Sequence, residues 1–443
     1  MIEKQRIKYL NKETIKDRSF VVYWMQTSQR VEYNHALEYA ISRANDLNKP
    51  LIVYFGITDN YPEANYRHYQ FMFEGLREVE EHLRKRNIQM FIKHTSPEKG
   101  AIEIAKEAVL MVVDRGYLRI EREWRSVVAT SIDIPLVQVE TNVIVPIEEV
   151  SLKEEYAAAT IRPKINALIP FYAKPFYEEE LDNSSLAIKF EESSFSLDDI
   201  DKLKIDKSIL PCDIFKGGTS NAHKWLDLFI KEKLKHYNDL RNDPSLDYQS
   251  HLSPYLRFGQ ISPLYIYHQV MNLESAPFVE ELIVRRELSM NFVYYNPNYD
   301  NYNGLPNWAK DSLNKHRNDI RPITYTKEEL ENYKTHDIYW NACQKEMVIT
   351  GKMHNYMRMY WGKKVIEWMK TPEEAFSTML YLNNKYNLDG RDPNSFTGVA
   401  WCFGKHDRPW KEREIFGMIR YMNDAGLERK FKMKDYIIKI GKL

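Results

Sequence analysis

A chain of 443 residues exceeds one ordinary core, so two or three domains are expected. It carries 63 basic and 63 acidic residues, so no overall field draws it to nucleic acid, and any such partner must be held by a local basic patch. The widely spaced Cys212, Cys343 and Cys402 form no C-x-x-C pair, which argues against structural zinc, and no metal site is expected.

No stretch approaches eighteen uninterrupted apolar residues, and MIEKQRIKYLNKET is too charged for a signal peptide, so a cytoplasmic protein without membrane contact is expected. From Ser19 to Pro146, short β-branched runs alternate with longer amphipathic ones. FVVYWM, LIVYFG, QMFIKH, VLMVVD and PLVQVE read as strands; EYNHALEYAISRANDL and the stretches Tyr69 to Arg86 and Lys99 to Ala108 read as the helices between them. Strands joined by helices of this length make βαβ crossovers, so residues 1–170 are expected to form an α/β domain with a parallel, Rossmann-like sheet. Residues 171–218, with EEELDNSS, EESSFSLDD and the Gly217, Gly218 pair, read as a linker over the surface, too acidic for nucleic-acid contact. Residues 219–443 have helical period almost throughout, which predicts an all-helical C-terminal domain.

The densest chemistry lies between Trp340 and Trp410. On a helix starting near His354, residues His354, Arg358, Trp361, Val365 and Trp368 share one face. Trp361 and Trp368 are two turns apart, roughly 10 Å along the axis. Aromatics at that spacing usually pack a core, but an inward Arg358 also needs a carboxylate or anion, and Asp389 or Asp392 of the DGRDP turn could supply it. Such a mixture suggests a cofactor pocket.

The run Gly351, Met353, His354, Asn355, Arg358, Met359 resembles the flavin-pocket helix of the photolyase/cryptochrome family. THDIYWNACQKEM, MYWGKKVIEW, YLNNKYNLDGRDPNS, VAWCFGKHDRPW and FGMIRYMNDAGL are similar to the class II cyclobutane pyrimidine dimer photolyases in particular, and YWMQTSQRVEYNHALEYA and IRPKI add fainter likeness near the N-terminus. Tyr237, twelve residues before QSHLSPYLRFGQISP, fits the family's tyrosine followed by a Ser-rich helix start. The resemblance implies that Tyr237, Ser250, Leu252 and Ser253 hold the diphosphate of a non-covalent FAD, a role that backbone amides and hydroxyls at a helix start can perform. It further implies an Arg358–Asp389 ion pair beside the flavin ring, Asn383 near its N5 atom, and Asn355 and Asp392 lining the cofactor.

Trp361, Trp340 and Trp368, with Tyr325 as terminal donor, are implied as the route of photoreduction. Glu281, Met359 and Trp401 are implied as the lesion's contacts, and Lys405, Arg408 and Lys411 as basic residues where DNA approaches. The chain departs from the family pattern in two places: Arg257 stands where His is usual, and Val284 and Arg285 occupy the neighbourhood of a lesion-stacking tryptophan. The activity implied is light-driven repair of pyrimidine dimers in ultraviolet-damaged double-stranded DNA by a monomer using reduced FAD, with a deazaflavin or folate antenna chromophore in the α/β domain. A cryptochrome-like light sensor is the alternative.

Overall fold

The computed structural model describes residues 2–192 and 194–443. Its sheet has six strands: β1 (Ile7–Tyr9), β2 (Phe20–Trp24), β3 (Leu51–Ile57), β4 (Gln89–His94), β5 (Ala108–Asp114) and β6 (Leu136–Val139). Their order is β1-β6-β5-β2-β3-β4, parallel throughout except that β1 pairs antiparallel with β6. FVVYW, LIVYFGI and AVLMVVD are buried along their whole length because helices cover both faces. Val21, Tyr23, Val53 and Val112 face the helices His35–Asp46 and Tyr66–Lys85. Phe20, Val22, Trp24, Ile52, Met111 and Val113 face Pro97–Ala105 and Arg119–Ser131.

Two differences from the sequence reading have local causes. The three-residue β1 is too short and too polar to announce itself and depends on its pairing with β6. The helix expected to reach Ala108 ends at Ala105, because Ala108 already opens buried strand β5.

The acidic segment after residue 172 is anchored by its few apolar residues. Leu181, Leu197, Ile200 and Leu203 join the α/β core, and Phe190 stacks on Phe91 with centroids 4.2 Å apart. Ser194 Oγ accepts from Ile92 N at 3.0 Å, and Phe195 N donates to Ile92 O at 2.7 Å. The segment thereby covers the outer edge of β4, which would otherwise offer unpaired backbone groups.

The remainder is helical. FVEELIVRRELSMNFVYY, which reads as one helix, is α-helical at Ala276–Val279 and Arg286–Tyr295 but π-helical between them, at Glu280–Arg285. Such insertions are frequent at functional sites.

Buried charges join the two parts. Arg67 donates to the carbonyls of Leu210, Val348 and Tyr386 at 2.9, 2.7 and 3.0 Å, the last two at the C-terminal ends of helices Ile338–Thr350 and Pro372–Tyr386. A cation is favoured there by the helix dipole. Arg30 donates to Gly259 O at 2.9 Å. Gly259 has φ +65°, and a Cβ there would lie 1.9 Å from Thr27 O, so no side chain fits.

Glu287 accepts from Ile144 N at 2.6 Å; burial pushes its carboxyl up to about 8, although the Ile144 and Val145 amides and Arg286 pull it down. A carboxyl raised above its unfolded value contributes stability that is complete below the ordinary carboxylate range and is lost as pH rises through about 8. Glu287→Gln is therefore expected to flatten the fall in stability between pH 5 and 8 by up to about 1.4 kcal/mol per unit. Denaturant titrations across that window check this, and parallel curves for the two proteins would refute it.

Candidate functional site

The helix Asn355–Trp368 starts where Gly351, at φ +72°, ends the preceding helix and His354 caps the next by accepting from Tyr356 N at 3.3 Å. One turn in, Arg358 Nη2 meets Asp389 Oδ1 and Oδ2 at 3.1 and 3.3 Å. Burial would raise the Asp389 carboxyl, but Arg358, Lys352 and the Ser253 hydroxyl outweigh it and hold the group below its ordinary value. The inward arginine thus takes Asp389 as its partner. Asp392 instead caps helix Pro393–Cys402, accepting from Asn394 N at 2.8 Å.

Lys352 was not singled out by the sequence. It is buried, 3.4 Å from His251, and burial together with Arg358 lowers it to about 8 against the pull of Asp389 and Asp247. Ser250 and Leu252 precede the short helix Ser253–Phe258, with Leu252 N donating to Ser250 Oγ at 3.5 Å. Tyr237 is buried, edge-on to Phe229 and Phe278. Asn383 is buried among amides: it donates to Ser395 Oγ and accepts from Asn387 Nδ2 at 2.8 Å. Asn355 is exposed in the first turn of its helix.

Three polar atoms along these segments are buried without a protein partner: Arg358 Nε, His354 Nε2 and Asn387 Oδ1. Leaving such groups unpaired is costly, and a polar cofactor would satisfy them.

The predicted electron-transfer rings come together as a file. Trp361 and Trp340 stack with centroids 6.4 Å apart and planes 10° apart; Trp340 meets Trp368 at 5.5 Å, and Trp368 meets Tyr325 at 5.1 Å. Trp340, from the neighbouring helix, fills the gap that two helical turns leave between Trp361 and Trp368. The three indoles are buried, Trp361 Nε1 donating to Gln344 Oε1 at 2.9 Å and Trp340 Nε1 to Trp361 O at 3.0 Å.

On another side, Glu281 Oε1 accepts from Arg241 at 2.8 Å, and Arg241 in turn lies over the Tyr237 ring at 5.2 Å. Glu281 and Arg285 are four residues apart in the π-helical turn and so share a face. The Arg285 guanidinium lies 5.9 Å from the ring centre of Trp401, which is 36% exposed. Met359 is half-buried on the helix Asn355–Trp368.

The predicted basic patch needs one correction. Lys405 is buried, its ammonium bonded to Glu154 and 3.3 Å from Gly304 O, so it is committed inside and cannot reach a phosphate. Arg408 and Lys411 are exposed, and Arg408 and Arg420 flank Trp410 at 5.3 and 4.5 Å.

A second site, most of whose residues the sequence did not single out, lies in the α/β domain. At the C-terminal ends of β2 and β3, beside the point between β2 and β5 where the strand order reverses, a cleft encloses about 710 Å³ including its open mouth. Crevices at this position are the usual ligand sites of α/β sheets. Its walls include Trp24, Tyr61, Trp124 and Phe258, with Arg257 and Arg391 reaching in from the helical part. Trp24 Nε1, Gln26 Nε2, Gln29 Oε1 and Arg391 Nη2 are buried there without partners. The loop carrying Gln26 is fixed by Asp114, which accepts from the amides of Gln26, Thr27 and Ser28 at 2.6 to 3.0 Å. Arg257 bonds Gly390 O at 3.1 Å and Tyr61 Oη at 3.2 Å, so it ties the cleft to the turn that bears Asp389. Among the described residues, no cluster of His, Cys, Asp and Glu could hold a metal, and no helix is long and apolar enough to cross a membrane.

A sequence model of the family described as DNA photolyase matches residues 21–179. The chain is 51% identical over 442 residues to a deoxyribodipyrimidine photo-lyase of Methanothermobacter thermautotrophicus, covering 99% of both chains. It is 38% identical to one from Potorous tridactylus, over 99% of this chain and 85% of the relative. It shares a fold with an archaeal photolyase from Sulfolobus tokodaii, solved with two FAD molecules: TM-score 0.74 at 18% identity, over 95% of this chain and 89% of that one. The chain belongs to the photolyase/cryptochrome family.

Proposed function

We propose that this enzyme is a deoxyribodipyrimidine photo-lyase of class II that repairs cyclobutane pyrimidine dimers in ultraviolet-damaged DNA. The observation that carries this reading is the ring file, which begins at Trp361, one helical turn from the Arg358–Asp389 pair, and ends at the surface with Tyr325. A reduced FAD bound at the pair supplies a single electron on absorbing light. Arg358 and Asp389 orient the ring, Tyr237, Ser250, Leu252 and Ser253 hold the diphosphate, and Asn355 closes the pocket rim. Asn383 suits the flavin edge because an amide can present either donor or acceptor as the ring's protonation changes.

The dimer, extruded from the stack, takes the electron, its cyclobutane ring opens, and the electron returns. Glu281, held by Arg241 through one oxygen, keeps the other for the pyrimidine edge, while Met359 and Trp401 face the rings. Arg408 and Lys411 meet the DNA backbone.

Arg285→Ala tests the lesion wall. Affinity for dimer-containing oligonucleotide is expected to fall about tenfold, within the range of lost stacking contacts, while undamaged DNA binds nearly as before. An equal loss on both would show that Arg285 serves only the backbone.

The sheet cleft would hold an antenna chromophore, a deazaflavin rather than a folate. Gln26 and Gln29 offer an unpaired amide donor and acceptor suited to an imide edge, and Arg391 offers a cation for a charged ring. Reconstitution with each compound, read by energy transfer to the flavin, discriminates between them.

Repair itself is tested by incubating photoreduced protein with dimer-containing oligonucleotide and measuring light-dependent recovery of intact pyrimidines. Recovery supports the reading. Binding of dimer DNA without recovery under light would leave a light sensor instead.

A further inference from the structure

The end of the ring file carries one more side chain. His336 Nδ1 lies 2.6 Å from Tyr325 Oη, and the His336 backbone N–H donates to the same oxygen at 2.9 Å. Its ring sits 6.0 Å from the Tyr325 ring and 5.5 Å from Trp368. It is held on rigid backbone: Thr335 Oγ1 donates to Asn341 Oδ1 at 2.8 Å, and Asp337 caps the helix that bears Trp340, accepting from Tyr339 N and Trp340 N at 3.0 Å. The exposed imidazole can pass a proton on to water.

A phenol gives up an electron readily only if its proton leaves at the same time, because a phenol radical cation is a strong acid. An indole in a buried file has no such need. The terminal donor is therefore the one member of this file that requires a base, and it is the one member with an imidazole nitrogen at hydrogen-bond distance.

We infer that His336 is the proton acceptor that makes Tyr325 the terminal electron donor; this rests on the ring-file reading above. One electron passes from Tyr325 to one-electron-oxidised Trp368. The Tyr325 O–H bond breaks and an N–H bond forms at His336 Nδ1, leaving a neutral tyrosyl radical beside an imidazolium. An external thiol then returns one electron to Tyr325, the proton comes back from His336, and the thiol leaves as a thiyl radical with release of its own proton.

Flash photolysis of the FAD-loaded full chain tests this by separating tyrosyl from tryptophanyl absorbance. The native protein is expected to form a tyrosyl radical more slowly in heavy water. In His336→Asn the tyrosyl yield should fall about tenfold or more, the scale of a lost general base, with the tryptophanyl radical persisting instead. In His336→Ala, added imidazole should restore the tyrosyl radical, which a merely structural role would not predict. Tyrosyl formation at the native rate in His336→Asn, or failure of imidazole to restore it, overturns the inference. If native protein forms no radical on any ring, the ring-file reading falls and this inference with it. If radicals form but Tyr325→Phe behaves as native, this inference falls while the ring-file reading stands.

Discussion

Protein carrying Trp361→Phe is expected to lose light-driven reduction of its flavin by about two orders of magnitude, equivalent to about 2.7 kcal/mol in a barrier, while chemically reduced protein still repairs DNA. The geometry explains why. Trp361 is the only ring of the file on the first turn after Arg358, and its neighbour Trp340 is another 6.4 Å further on. Phenylalanine fills the space but is far harder to oxidise than indole. The substitution also strands Gln344, whose buried oxygen accepts from the lost Nε1, at a cost of about 1–3 kcal/mol. Pairing it with Gln344→Leu removes that penalty, so the double variant separates electron transfer from folding. Unchanged photoreduction in either variant would show that the file is packing alone.

What the sequence disclosed and what it hid follow one physical rule. Periodicity along one element was legible: the five principal strands, the helix bearing Arg358 and Trp361, and the inward direction of that arginine. Contacts between elements were not. Nothing local says that Trp340 slots between Trp361 and Trp368, or that Asp389 rather than Asp392 answers Arg358, because both depend on how separate helices dock. Lys405 misled for the same reason, since its partner Glu154 lies 251 residues away. The π-helical turn at Glu280–Arg285 is invisible to a pattern that assumes a uniform helix. The lining of the sheet cleft was not legible because its walls come from β2, β3 and the helical part, with Arg391 entering at φ +54°, a conformation that sequence does not foretell for arginine.

Asp389→Ala is expected to have the largest effect on the fold and the site together, costing about 3 kcal/mol of stability, the lower end of what removing one member of a buried ion pair costs, because the pair keeps some contact with solvent. Asp389 faces two cations, the half-buried Arg358 and the buried Lys352. Arg358 bonds it directly, and Lys352 is held partly protonated by it against burial. Without the carboxylate, Lys352 can respond by releasing its proton at neutral pH, because it already stands at about 8. Arg358 cannot, as a guanidinium stays charged, so its desolvation is left uncompensated. Asp389→Asn keeps the shape and one acceptor oxygen and should cost less, yet still weaken retention of the flavin. The sign with pH follows from the carboxyl's depressed value. Stability from Asp389 is present above the ordinary carboxylate range and is lost as pH falls through its folded value, so the gap between native protein and Asp389→Asn should close in acid. Denaturant titrations at pH 7 and pH 3, with flavin content of the purified proteins measured in parallel, check both parts. A gap that stays constant with pH would show that the pair contributes through packing rather than charge.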